Sequence, residues 1–165
     1  MDCDSTTVFL AKQASSTQSP LETVVDRLLV AQVGDRNLRS LHVLVKPNLI
    51  TARNGSLACT DPRLISAVAH WFNAQGARVV VGDSPAFGSA RSVLTAIKAL
   101  PLLRQLGVPV VEFGHTGEVL LPCGHKAAMA QPALECDLLV NLPKVKAHSQ
   151  MLVTLAVKNL FGCLS

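Results

Sequence analysis

The sequence predicts an α/β fold: three layers, with an open and mainly parallel sheet carrying helices on both faces. Three observations carry that prediction. The chain has 165 residues, of which 49% are hydrophobic and only 16% charged, a balance suited to a sheet buried on both faces rather than half solvated. Its strand-like segments are continuous apolar runs, not alternating ones. Those runs also alternate with helical patterns, which implies right-handed crossovers and parallel pairing.

The segments follow in order. Residues 7–11 (TVFLA) form a short candidate strand, and 15–19 a polar loop. Ser19-Pro20-Leu21-Glu22 has the pattern of a capping box with proline first inside the helix. Leu21, Val24, Val25, Leu28 and Leu29 then recur at helical spacing up to Gly34. Residues 41–45 (LHVLV) read as a buried strand, ended by Pro47, which cannot donate to a ladder. A loop over 51–59, with a turn at Asn54-Gly55, leads to Thr60-Asp61-Pro62, a helix start with Asp61 as cap. That helix carries Leu64, Ile65, Val68, Trp71 and Phe72 on its apolar face and closes at Gly76.

Residues 77–81 (ARVVV) are the next buried strand, ending at Gly82-Asp83-Ser84-Pro85. A helical stretch after Gly88-Ser89 is kinked or restarted at Pro101, and 108–113 (VPVVEF) form a further strand before His115. Residues 118–129 alternate weakly and read as a short antiparallel pair or a loop. The chain then closes on 136–162, where an apolar run (Leu138, Leu139, Val140) stops at Asn141. A turn rich in Lys144, Lys146 and His148 follows, then a helix bearing Thr154, Lys158 and Asn159. Without internal repeats or a low-complexity linker, residues 1–165 read as a single α/β domain.

Several classes are excluded or disfavoured. No apolar run is long enough for a transmembrane helix, and Asp2 and Asp4 stand where a signal peptide would be basic. The five cysteines form no CxxC pair, so a zinc ribbon or a cluster-binding run is absent from the sequence. Reduced thiols and a soluble, cytoplasmic protein are the expectation. With a net charge of +4, no basic run and 4% aromatics, nucleic acid is not the expected partner. Neither GxGxxG nor GxxxxGK[ST] occurs, so the fold is Rossmann-like without its dinucleotide fingerprint.

The candidate site comes from where polar residues fall. In a parallel sheet the strand C-termini share one rim, where open α/β sheets bind ligands. Lys46 and Asn48, Asp83 and Ser84, His115, and Asn141 with Lys144 each follow a strand-like run. Lys144 and Lys146, two apart on an extended segment, face one side; they read either as a solvated loop or as cations aimed at a carboxylate or phosphate. Asp83 either ligates a hard metal, orients a lysine or caps the next turn. Lys158 sits in an otherwise apolar segment, where a lysine must snorkel or find a partner.

The segments VLVKPNLI, TDPRLISAV, ARVVVGDSP, DLLVNLPKVKAH and VTLAVKNLFG resemble, in that order, the domain of unknown function 362 family, from about Val43 to Gly162. The combination of NLPK-x-K-x-H with KNLFG is the most specific part. The resemblance implies an α/β domain of bacteria and archaea, often joined to a ferredoxin-type domain with two four-iron clusters, and hence redox association without an assigned reaction. This chain has no ferredoxin cysteines, so an iron–sulfur cluster would come only from a further domain or a partner. Family members usually continue through more strands, which implies a shortened member or fragment. Lys46, Asn48, Asp83, Asn141, Lys144, Lys146, His148, Lys158 and Asn159 match the family pattern.

Two functions are expected from this reading. One is the α/β portion of a redox-associated enzyme that binds an anionic small molecule at the rim. In it Asp83, His148 and Lys144 are the candidate catalytic groups, and Asp83 and His148 would move protons or hold a metal. Lys46, Asn48, Ser84, Asn141, Lys146, Lys158 and Asn159 are the binding set. The other is a non-catalytic module for a phosphate- or carboxylate-bearing metabolite. A ferredoxin-type partner and a homodimer through an apolar sheet edge complete the expected partners, and no membrane is expected.

Overall fold

The structure is a computed structural model, and it describes residues 7–13, 20–53, 55–148 and 152–164. The chain divides into two compact units, Met1–Asn37 and Leu38–Ser165.

In the first unit the regular element is helix α1 (Leu21–Val33), with Val24 and Val25 buried. It stops where Gly34 takes φ 61° and its N–H donates to the Val30 carbonyl, a backbone state that costs glycine little. Ser19, expected as its cap, lies outside the described residues. Residues 7–11 do not form the expected strand. Val8 and Leu10 are exposed there, and an apolar run without a neighbour to pair with cannot close a ladder.

The second unit is built on a four-stranded parallel sheet in the order β3-β2-β1-β6. Its strands are β1 (His42–Pro47), β2 (Arg78–Asp83), β3 (Val110–Glu112) and β6 (Leu138–Leu142). Val43, Leu44 and Val45 alternate between the two faces, yet all three are fully buried, so both faces are covered as the unbroken apolar run predicts. Helix α3 (Pro62–Ala74) packs on β1 and β2; α4 (Ala90–Ala96) packs on β3; and α6 (Gln131–Glu135) lies beside β1. The fold is the predicted three-layer α/β arrangement.

Local chemistry sets the boundaries. Asp61 caps α3 by accepting from the Arg63 amide, with Pro62 first inside. Ser89 and Ser92 form a reciprocal capping box at α4. The helix after α4 restarts at Lys98, which adopts φ 63°, so that α5 (Ala99–Gln105) holds Pro101 in its first turn, where proline forfeits no helical bond. Residues 116–130 are the antiparallel pair that their weak alternation allowed, β4 (Thr116–Leu120) with β5 (Lys126–Ala130).

Two expectations change. The loop over 51–59 contains a short helix, α2 (Gly55–Ala58). The C-terminal segment is not strand, turn and helix: after β6 it forms a hairpin, β7 (Lys146–His148) with β8 (Leu152–Thr154), before a short helix α7 (Ala156–Asn159) and one 3-10 turn (Leu160–Cys163). Thr154 is therefore a strand residue. A short apolar run rich in β-branched residues has no period long enough to separate strand from helix.

The order of the strands sets which loops meet at the C-terminal rim. From β1 the chain moves to β2 and then β3 on one side, but β6 returns to the other side of β1. At the C-terminal rim the loop after β1 bonds the end of β6 through Thr60. The segment after β6 returns over the ends of β1 and β2 through Asn159 and Gly162, so both frame the rim around β1, where the strand order switches.

Candidate functional site

The residue at the end of β1 is Lys46, fully buried, whose Nζ donates to Asp83 Oδ1 at 2.5 Å across the adjacent end of β2. Asp83 Oδ2 accepts from the Leu49 amide at 2.8 Å. Burial pushes the Asp83 carboxyl above the ordinary aspartate range, while the Lys46 ammonium and the Leu49 and Ser84 amides pull it back. Gly162, on the 3-10 turn, covers this pair so closely that a Cβ there would lie 2.6 Å from Asp83 Oδ1 and 2.9 Å from Lys46 Nζ. Lys46 and Asp83 are therefore matched charges within the floor of the site.

The loop after β1 ties the switch point together. Thr60 Oγ1 accepts from the Asn48 amide at 2.8 Å and donates to the Leu142 carbonyl at 2.6 Å, so one buried hydroxyl links the ends of β1 and β6. Asn48 Nδ2 donates to the Ala58 carbonyl at 2.6 Å, and Lys146 Nζ donates to the same oxygen at 2.9 Å. On the other side, Asn159 Nδ2 bonds Asn141 Oδ1 at 2.7 Å and the Pro47 carbonyl at 3.3 Å. Asn141 Nδ2 in turn holds the Ala156 carbonyl at 2.9 Å. These asparagines latch α7 to β1 and β6, in keeping with the rule that buried polar groups are bonded.

Two adjoining hollows open above this floor. The first, of about 310 Å3, is lined by Lys46, Asp83, Ser84, Phe161 and Gly162 among others. The second, of about 420 Å3, holds Lys144, Lys146, Thr154 and Leu155. Asn48, Ile50, Ala86, Lys158 and Asn159 border both, so the two are lobes of one cleft. Lys158 stands between them with its Nζ 5.7 Å from the centre of the Phe161 ring, within cation–π range.

The second lobe is electrically one-sided. Lys144, Lys146 and Lys158 line it, and among the described residues no aspartate or glutamate does. Asp61, which feels the charge of Lys144, is already engaged with Arg63 through both carboxylate oxygens. Burial pushes the Lys146 ammonium below the ordinary lysine range, and the charges of Lys144 and Lys158 act the same way against the opposing pull of Cys59 and Asp83. The described lining of this lobe thus carries an excess of positive charge.

Of the residues singled out in the sequence, Lys46, Asn48, Asp83, Ser84, Lys144, Lys146, Lys158 and Asn159 all line the cleft. Asn141 does not, acting instead behind it as a latch. His148 ends β7, and its side chain is outside the described set. His115 is exposed beside β4, with its carbonyl bonded to the Gln131 amide, and it lines neither lobe. The sequence reading passed over Thr60, Phe161 and Gly162. For Thr60 the only signal was its place before a helix cap, and for Gly162 it was the KNLFG segment of the resemblance, which does not show the close approach across the fold.

Among the described residues no group of three or more His, Cys, Asp or Glu side chains could hold a metal ion. The described thiols are dispersed, with Cys59 and Cys163 buried, Cys136 half-buried and Cys123 exposed.

The fold and the cleft define an open α/β protein with a lysine-lined cleft at the C-terminal rim of its sheet. The chain belongs to the family described as domain of unknown function (DUF362), whose model matches residues 43–165. It is 38% identical over 157 residues to the thylakoid-associated protein sll1697 of Synechocystis sp., covering 92% of this chain and 47% of that relative. The chain thus spans about half the length of the curated relative it matches. No solved structure matches it. No helix among the described residues is long and apolar enough to cross a membrane.

Proposed function

We propose that this chain binds an anionic small molecule in the switch-point cleft. The observation that carries the reading is the set of three lysines, Lys144, Lys146 and Lys158, on one lobe that no described carboxylate lines. Lys46 supports the site from below, its charge matched by Asp83. Asn48 and Asn159 supply polar edges to both lobes.

A thermal-shift titration with inorganic phosphate and with small carboxylates tests this. A ligand at about a hundred times its dissociation constant adds roughly 2.7 kcal/mol of stability, enough to move the melting temperature by several degrees. The shift is expected in the wild type and reduced in Lys144→Ala and Lys158→Ala. A wild type that responds to no anion would remove the reading.

Turnover in a redox reaction with a ferredoxin-type partner is the finer reading, and it rests on the family resemblance. In it Asp83, Lys144 and His148 are the catalytic groups. Binding without turnover when reduced ferredoxin is supplied would leave the non-catalytic module. Cytoplasmic location belongs to the same proposal; fractionation that placed the chain with membranes would replace it with the association named for the relative.

A further inference from the structure

The two lobes differ in a way that names a ligand class, an inference resting on the anion site just proposed. Among the described residues, the lobe of about 420 Å3 gathers three lysines and neither a carboxylate nor an arginine. Recognition there is by point charges rather than by a planar guanidinium fork. A carboxylate brings one negative charge, whereas a phosphomonoester brings about 1.5 to 2 at neutral pH and three acceptor oxygens. Three ammonium groups are more nearly matched by the second.

The lobe of about 310 Å3 is different. Its lysine and aspartate, Lys46 and Asp83, cancel one another at 2.5 Å. Apart from Lys158 at the border with the other lobe, its remaining polar and aromatic character comes from the Ser84 hydroxyl, the Asn48 and Asn159 carboxamides and the Phe161 ring, which is 63% exposed. That surface offers an apolar plate beside neutral polar groups, and among the described residues its charge outside the Lys46–Asp83 pair is Lys158, which it shares with the other lobe. Lys158 borders both lobes, so a molecule with its anionic end among the lysines would extend past Lys158 towards Phe161.

We propose that the cleft takes a phosphomonoester of a small neutral hydroxylated compound, with the phosphoryl group among Lys144, Lys146 and Lys158 and the neutral body in the lobe over Phe161.

Four matched probes test this by calorimetric titration of the full chain at fixed pH and salt: inorganic phosphate, glucose, glucose 6-phosphate and glucuronate, which carries a carboxylate where the third has its phosphate. Glucose 6-phosphate is expected to bind at least tenfold tighter than inorganic phosphate and tenfold tighter than glucuronate, with glucose alone weakest. Phe161→Ala should bring the ratio of ester to phosphate affinity near one, and Phe161→Trp should preserve it. Unfolding midpoints of both variants check that the fold is kept. Equal affinities for ester and phosphate, or glucuronate binding as tightly as the ester, would overturn the proposal while leaving the anion site standing. An ester preference undiminished in Phe161→Ala would overturn the placement of the body. Failure of every anion to bind would remove the anion site, and this inference with it.

Discussion

Lys46 is unusual among lysines in being fully buried, and its value to the fold depends wholly on Asp83. Removing one partner of a buried pair strands the other charge, at a cost of about 3–5 kcal/mol. Lys46→Met and Asp83→Leu should each destabilise the chain by that order in urea unfolding, and the double variant should recover most of the loss. Gly162→Ala should cost about 1–3 kcal/mol through overpacking, because its Cβ would lie inside contact distance of both partners. Lys146 gives a pH signature. Its pKa is lowered, chiefly by burial and then by Lys144 and Lys158, against Cys59 and Asp83. Only the ammonium form attracts an anion, so affinity should fall as pH rises through this lowered pKa, below the usual lysine value of about 10.4. Lys146→Arg should hold its affinity to higher pH. Loss only above the ordinary lysine range would contradict the assignment.

At the scale of elements, β1 shows what a sequence can reveal. An unbroken apolar run followed by Lys46-Pro47-Asn48 announces both a doubly buried strand and its polar end, and the structure has both. The helices were legible where caps were strong, at Asp61 and Ser89. Ser89→Ala should therefore cost about 1 kcal/mol, read as a shift in unfolding midpoint. The β7–β8 hairpin was not legible, because three-residue strands carry too little pattern, and the strand pairing that defines them is a contact rather than a composition. The same limit applies within the cleft. Its lysines stand out as charges in an apolar chain, whereas Thr60 and Phe161 acquire their roles only when loops distant in sequence meet.

For the molecule as a whole, strand order decides the exposed edges. β6 lies at the end of the sheet with its residues half-buried, and Leu138, Leu139, Val140 and Leu142 make it apolar. An apolar edge strand is a template for pairing, so concentration-dependent self-association is expected in light scattering. A clean monomer at high concentration would exclude pairing through this edge.

The central place of β1 also governs when the cleft can exist. β1 meets β2 after a crossover of ordinary length, but its other neighbour arrives far later, and His42 and Asp137, which bond at the start of that pairing, are 95 residues apart. Contacts so remote in sequence close slowly, because the intervening chain must be ordered first. In refolding, the β1–β2 side should protect its amides from hydrogen exchange before β6 does. Anion binding should return only with the late phase, since Lys144, Lys146 and Lys158 all lie beyond β6. The newly made chain would thus spend its early life as a sheet without a site.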